Sequence, residues 1–200
     1  MKIETLLLCI TLLCISPIAQ GQSLPFGLRQ GMSISSLKKQ VPVEEDETFV
    51  YTSTTAPKPN KAFERYVYVV TPLHGLCHIQ AWTRPIEADA HGSTMTREFR
   101  LLHEALARKY GLAKDHEFLK AGSEWNEPQD WMEGLRKKER VLRSYWTSDT
   151  TQLPTGIEGI QLDAVAYPSF KNIGAVSVTY ELTNFAQCKN ELDKVRDSTL

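Results

Sequence analysis

The segment Ile173–Leu182 constrains the fold more than any other part of the chain, because apolar and polar side chains alternate along it. Four apolar residues occupy every second position and three polar residues lie between them: Val176, Val178, Tyr180 and Leu182, against Ser177, Thr179 and Glu181. Successive side chains of a β-strand point to opposite faces, so the pattern predicts a strand with one buried and one solvated face. Such one-sided burial is typical of antiparallel sheets. The chain is therefore expected to contain an antiparallel sheet with one open face.

Other strands are predicted where β-branched and aromatic residues alternate or cluster. These predicted strands are 48–55, 65–70, 76–83, 141–147 and 160–167. The acidic run Glu44–Glu47 precedes the first of them and is interpreted as a solvated turn.

The longest predicted helix covers Ser93–Tyr110. Its apolar positions are three or four residues apart and so share one face: Met95, Phe99, Leu102, Leu106 and Tyr110. Gly111 fits the left-handed position that follows a helix C-terminus. Shorter helices are predicted over 34–40, where Ser33 can act as the N-cap, and over 128–139.

These elements predict an α+β fold, in which an antiparallel β-sheet packs against two or more helices. Residues 22–200 are expected to form a single domain, because the nearest break, 56–60, has the composition of a loop between strands. Two stretches, 33–83 and 96–182, share the order helix, strands, hairpin, so a duplicated helix-plus-sheet unit is one interpretation. The charged tail 189–200 is expected to fray or to form a short helix.

Residues 1–21 have the layout of a secretory signal peptide. An apolar run covers 6–18, and the small residues Ala19 and Gly21 stand at positions −3 and −1 of a cleavage site before Gln22. The run is shorter than the roughly 20 apolar residues that span a bilayer. We therefore predict cleavage between Gly21 and Gln22, with an uncleaved membrane anchor as the alternative.

The sequence after the signal peptide predicts no stable membrane anchor. Cys9 and Cys14 both follow leucine, whereas bacterial lipidation resembles a pattern with a small residue before the cysteine. No later stretch is apolar enough to span a membrane. We expect the mature chain to be periplasmic or secreted.

The charge balance argues against a nucleic-acid partner. Lys and Arg number 23 and Asp and Glu number 24, for a formal net charge of −1. Nucleic-acid-binding proteins usually carry a basic surplus, because counterion release from phosphates drives their affinity. We expect no such partner here.

Two cysteines, Cys77 and Cys188, remain after the signal peptide, and in an oxidising compartment they predict one disulfide. The alternatives are a reactive thiol and a metal site, since His74, Cys77 and His78 offer three ligands within five residues. Strand alternation places Cys77 and His78 on opposite faces, which disfavours the metal site. We expect neither a metal nor another cofactor.

A second cluster of candidate catalytic groups lies further along the chain. Four carboxylates lie near Trp125 and Trp131: Glu124, Glu127, Asp130 and Glu133. Paired carboxylates beside aromatic residues could serve a polysaccharide hydrolase. Two of the four, however, fall in the first turn of a predicted helix, where negative charge is favoured without any catalytic role.

The strand 76–83 carries the candidate binding surface. Alternation places Leu76, His78, Gln80 and Trp82 on one face, and Arg84 follows the strand. Trp and Arg are enriched in the residues that dominate binding energy at protein interfaces. The predicted surface therefore consists of His78, Gln80, Trp82 and Arg84.

The opening Phe26-Gly27-Leu28-Arg29-Gln30-Gly31-Met32-Ser33 resembles that of small bacterial envelope proteins. These are the BamE-type outer-membrane assembly lipoproteins and the β-lactamase inhibitor proteins. The resemblance implies a helical element packed on an antiparallel sheet, with Ser33 capping the first helix, and a protein-binding envelope domain without catalysis. The chain departs from the pattern in lacking both a lipobox and the Gly that usually closes this helix.

We therefore expect an exported, non-enzymatic protein-binding module whose partner is another envelope or secreted protein. An inhibitor or immunity role suits a small, nearly neutral chain with one disulfide. The alternatives are a cell-envelope polysaccharide hydrolase and a structural component of the envelope.

Overall fold

The computed structural model describes residues 24–197, in which the chain forms four α-helices and nine β-strands. The helices are α1 (Ile34–Lys38), α2 (Ser93–Tyr110), α3 (Trp131–Arg136) and α4 (Phe185–Asp197). The strands are β1 (Glu44–Glu47), β2 (Val50–Ser53), β3 (Arg65–Thr71), β4 (Gly75–Trp82), β5 (Ile86–Glu87), β6 (Lys114–Leu119), β7 (Arg140–Thr147), β8 (Ile157–Ala166) and β9 (Ile173–Leu182). The predicted signal peptide, 1–21, and the predicted cleavage site lie outside the described residues.

All the strands belong to one antiparallel sheet, in the order β1-β2-β3-β4-β9-β8-β7-β6, with β5 also paired to β9. The strands β1 to β4 and β6 to β9 therefore form two four-stranded meanders that meet where β4 pairs with β9. The prediction of an α+β fold with an antiparallel sheet is confirmed, and the sheet dominates it. None of the helices in 24–197 combines the length and the apolar character needed to cross a membrane.

The main core lies between the sheet and the helices α1, α2 and α3. Each helix contributes side chains that are at most 1% exposed: Leu37, Met95 and Met132. From the sheet come Tyr66, Ile79, Leu162, Val178 and Leu182. Val178 and Leu182 of β9 face this core, as predicted, but the prediction of a solvated opposite face is wrong for the middle of the strand, because Ser177 and Thr179 are buried as well.

Helix α2 has the predicted bounds, and local residues determine both of its ends. At the start, the Asp89 carboxylate accepts a hydrogen bond of 3.1 Å from the Ser93 backbone N–H, which lowers the pKa of Asp89. At the end, Gly111 adopts φ +88° and its N–H donates to the Ala107 carbonyl. A side chain is disfavoured in that conformation, so the glycine stops the helix.

Three strands were not predicted from the sequence: the short β5, and β1 and β6, which are the edges of the sheet. The prediction of a solvated turn over Glu44–Glu47 is wrong, because these residues form β1, and β2 begins only after a turn in which Phe49 has φ +64°. Strand β6 also has no buried residue. Edge strands need backbone pairing on one side only, and charged side chains there discourage pairing with other chains.

The second predicted helix, 128–139, is shorter in the structure. A single 3₁₀ turn, Pro128–Asp130, leads into α3, and Lys138 takes up φ +59° directly after it. At the other end of the chain, α4 begins before the predicted tail 189–200 and includes most of it.

A β-bulge in β4 changes which residues share a face. Val69 is paired with His78, but Val70 is paired with Leu76, so Cys77 is an extra residue between them. Leu76 therefore joins Ile79 in the main core, and the prediction that it shares a face with His78 is wrong. The prediction that Cys77 and His78 lie on opposite faces is wrong for the same reason.

Helix α4 packs on the other face of the sheet, against β3 and β4. Cys77 and Cys188 form the predicted disulfide there, with 6.5 Å between their Cα atoms. Both cysteines are fully buried in a small second cluster with Val69. The Asn184 amide donates to the carbonyls of residues 74 and 76, which anchors the start of α4.

The segment that carried the family resemblance lies along the start of β4. The Gly31 N–H donates to the Leu76 carbonyl, and the Leu76 N–H donates to the Met32 carbonyl, both at 2.9 Å. Ser33 then caps α1, because its hydroxyl accepts a hydrogen bond from the Ser36 N–H at 3.3 Å. The capping role that the resemblance implied is present.

Candidate binding face of the sheet

The face of the sheet opposite the main core is partly without a helical layer. Helices α1, α2 and α3 contribute to the main core, and α4 packs against β3 and β4. In the described part of the chain this leaves β9, β8, β7 and β6 without a helix on that side. We call this surface, from Gln80 and Trp82 on β4 to Lys114 and His116 on β6, the open face.

Two rows of side chains cross the open face in register. One row runs through Arg65, Trp82, Ser177, Asp163, Arg143 and His116, and the next runs through Val67, Gln80, Thr179, Gln161, Tyr145 and Lys114. Ser177 and Thr179, in the middle of the rows, have small and buried side chains, and the large side chains flank them. Side chains opposite each other on paired strands are in contact distance, so each row is a continuous surface.

Polar contacts fix the side chains on the β7 and β8 part of the open face. The Asp163 carboxylate accepts hydrogen bonds from Arg143 and from Gln161, and the Arg143 guanidinium also donates to the Tyr145 hydroxyl at 2.9 Å. The ring of His116 meets the ring of Tyr145 edge-on at 5.2 Å. Tyr145 is thus held from two sides by its neighbours in the network.

Trp82 lies on β4, at the opposite end of the open face from this network. The half-buried indole makes no side-chain hydrogen bond or ring contact with any residue in 24–197. Gln80 shares its face, as predicted, and Arg84 is exposed beyond the end of β4. Three of the four predicted surface residues are therefore near one another and open to solvent, at least in part.

His78 is the predicted surface residue that lies elsewhere. Its ring is under α4, 5.3 Å from the ring of Phe185, and its Nδ1 atom is buried without a hydrogen-bond partner among the described residues. The sequence alone does not reveal this cover, because it depends on how α4 docks. His78 is partly exposed, as Gln80 and Trp82 are, but it lies beside α4 and outside the open face.

The burial of His78 predicts a pH-dependent stability. Burial lowers the pKa of His78 from 6.5 to about 4. The unfolded chain protonates His78 near pH 6.5, and the folded chain does so only near pH 4. The free energy of unfolding is therefore highest above pH 6.5 and falls by about 3 kcal/mol as the pH drops to 4. Urea unfolding of residues 22–200 from about pH 7 to about pH 4 measures the loss.

The variant His78→Phe is the control, since it keeps a ring against Phe185 and has no titratable group. Glu181, across from His78 on β9, acts in the opposite sense: burial and the charge of Glu158 raise its pKa, so the folded state binds its proton more readily. Both proteins contain Glu181, so the difference between their pH profiles reports His78. Parallel profiles in the two proteins would contradict the assignment.

One of the carboxylates proposed for a hydrolase is held in an ion pair. The Arg136 guanidinium donates hydrogen bonds to both carboxylate oxygens of Glu133, in a bidentate ion pair. These hydrogen bonds lower the pKa of Glu133. A general acid needs a raised pKa. A pocket of about 530 Å³ does lie beside Trp125 and Glu133, but it is also lined by Lys171. Glu124 and Glu127 are exposed.

A further cluster of potentially catalytic side chains consists of His103, Asp115 and Ser144. On the helix side, the Ser144 hydroxyl donates to Asp115 at 2.6 Å and His103 contacts the same oxygen at 3.1 Å. An activated serine must instead donate to the histidine, so this arrangement is not a catalytic triad. Within 24–197, no three His, Cys, Asp or Glu side chains are arranged to hold a metal ion.

Sequence reasoning missed Arg143, Tyr145, Asp163 and His116 as components of the open face. Alternation in 141–147 and 160–167 was visible, but which strands are neighbours was not. Comparison of the chain with protein-family models, with curated proteins and with solved structures finds no match. The resemblance to the BamE-type and β-lactamase inhibitor proteins therefore stays a prediction.

Proposed function

We propose that the protein is an exported, non-enzymatic binding module that contacts another envelope or secreted protein through the open face. The observation that carries the proposal is the pairing of Trp82, whose side chain has no partner in the described residues, with the ordered Arg143–Tyr145–Asp163 network. A half-buried indole in solvent gains contact area and a hydrogen bond when a partner covers it. Trp, Tyr and Arg are also the residues that dominate interface energies.

The arrangement favours binding over chemistry. The side chains of the network are held by their own hydrogen bonds, so binding of a partner would cost little side-chain conformational entropy. The strands beneath are continuous and rigid, as suits a recognition surface. An inhibitor or immunity role would use such a preformed surface to block another protein.

The proposal includes export of the chain and an origin of its fold by duplication. The predicted signal peptide would deliver the chain to an oxidising compartment, where the Cys77–Cys188 disulfide is stable. The two meanders, each preceded by a helix and joined through their last strands, support an origin by duplication of a helix-plus-sheet unit. Joining the two units edge to edge would make one surface broad enough for a protein partner.

Replacement of Trp82 by alanine is the direct test. Residues 22–200, with the disulfide intact, are used to capture a stoichiometric partner from envelope and secreted fractions, and Kd is then measured with the purified partner. We expect Trp82→Ala to weaken binding by about 30-fold or more, since loss of an interface anchor costs about 2 kcal/mol or more.

Trp125→Ala is the matched control, because Trp125 is also half-buried but lies beside α3 on the helix side. Its Kd should stay within about threefold of the unmodified protein. A complex weakened by Trp125→Ala and unaffected by Trp82→Ala would place the interface on the helix side and refute the proposal.

A further inference from the structure

A cleft opens on the helix side of the sheet, between α2 and the loop that connects β2 to β3. Its volume is about 380 Å³, within the range of small-molecule sites, which is roughly 300–1,000 Å³. Leu102 and Leu106 of α2 form one wall, and Phe63 belongs to the other. The base is formed by Phe26 and by Tyr180 of β9. Apolar side chains therefore line these walls, and polar groups of the lining, among them Asn60, share the cleft with them.

Phe26 is held in place at the base of the cleft by aromatic neighbours and by a strained backbone. Its ring centroid lies 5.8 Å from Phe63, 5.1 Å from Tyr66 and 5.9 Å from Tyr180, each in an edge-on arrangement. Its φ is +62°, which is uncommon for a residue with a side chain. Strained backbone of this kind concentrates at ligand clamps and other functional sites.

The charges at the cleft are all of one sign. Among its lining residues in the described chain are Lys58 and Lys109, and no Asp or Glu. Neither lysine forms an ion pair with a residue in 24–197. The pockets near Glu133, Asp115 and Glu44, by contrast, all include carboxylates. A cleft that offers apolar side chains and two lysines without ion pairs is complementary to an anion with an apolar body.

The backbone of the loop positions Lys58 over the cleft. The Lys58 N–H donates to the Phe26 carbonyl at 2.8 Å. The aliphatic part of Lys58 lies against Gly27, where an added Cβ would come within 2.8 Å of the Lys58 Cγ. On the opposite wall, the Lys109 ammonium lies 4.9 Å from the ring of Tyr110. Both lysine stems cover apolar surface while their charges reach solvent.

We propose that this cleft binds a small anionic amphiphile, a monocarboxylate with a medium-length hydrocarbon chain. The chain lies between the α2 leucines and Phe63 and ends over Phe26, and the carboxylate lies between Lys58 and Lys109. The cleft is on the opposite side of the sheet from the open face, so the two sites can be tested separately.

Calorimetric titration of residues 22–200 with three probes of the same chain length tests the charge requirement. The probes are decanoate, decanol and decyltrimethylammonium, each below its micelle concentration. Decanoate is expected to bind at least about tenfold more tightly than decanol, and the cation is expected not to bind, because only the anion matches the lysines.

Variants test the location. Lys58→Glu combined with Lys109→Glu should weaken decanoate binding at least about tenfold, whereas Lys61→Glu combined with Lys137→Glu, with the same change in net charge, should leave it within about twofold. Ala105→Trp fills the cleft from its exposed rim and should abolish binding without altering charge. Absence of decanoate binding, equal binding of anion and cation, or unchanged binding by Ala105→Trp would each overturn the proposal.

Discussion

Gly75→Ala is expected to lower the free energy of unfolding by about 4 kcal/mol, through backbone strain and a backbone clash together. Gly75 adopts φ +64° at the start of β4. A Cβ there would lie 2.2 Å from the Gly31 carbonyl oxygen. The obstacle is main chain, which cannot rotate away as a flexible side chain would. The N-terminal segment that lies along the start of β4 must therefore move away from this strand.

Gly122→Ala is the matched control for this prediction. Gly122 has φ +77°, but a Cβ there would meet nothing within 4 Å. It carries the conformational penalty alone, for which we expect about 1 kcal/mol. Urea unfolding of both variants at neutral pH measures the two values. A loss of similar size in both would contradict the close approach of Gly75 to Gly31.

Removal of the disulfide is expected to have an effect of similar size. The bond links positions 111 residues apart, and in the chain-entropy model a loop of that length contributes about 5 kcal/mol. We expect Cys77→Ala combined with Cys188→Ala to lose about 3 to 5 kcal/mol in urea unfolding, since measured values often fall below the model. Reduction of the unmodified protein should lower its free energy of unfolding by a similar amount. The same reductant should leave the free energy of unfolding of the double variant unchanged.

The disulfide prediction also has a local signature. The second cluster, where Cys188 packs with Val69 and Cys77, is small, so α4 depends on the bond more than α2 does. Amide hydrogen exchange should accelerate in α4 of the double variant, while α2 keeps relative protection. Uniform acceleration across both helices would show that α4 does not open by itself.

The parts of the fold that sequence could predict are those with strong local signals. The spacing of Met95, Phe99 and Leu102 sufficed for α2, because it reports burial on one face. The alternation in Ile173–Leu182 sufficed to locate β9 but not to predict its burial, which extends to both faces in the middle of the strand. The edge strands β1 and β6 were missed or shortened because they bury nothing, so their composition is that of loops. Their existence depends on pairing with a neighbour.

The candidate site was predictable only where it follows one strand. Gln80 and Trp82 were assigned to one face correctly, because alternation holds beyond the bulge. The bulge at Cys77 escaped notice, since it reflects the pairing of β4 with β3. Tyr145 and Asp163 escaped notice because their position on the same face as Trp82 depends on sheet order, which local pattern does not encode.

Hydroxyl-radical labelling of side chains in the complex with the captured partner tests the central claim most directly. The proposal predicts that Trp82 and Tyr145 lose most of their reactivity on binding, while Trp125 and Phe170 keep theirs. Protection of Trp125 or Phe170, with Trp82 and Tyr145 as reactive as in the free protein, would contradict a partner-binding role for the open face.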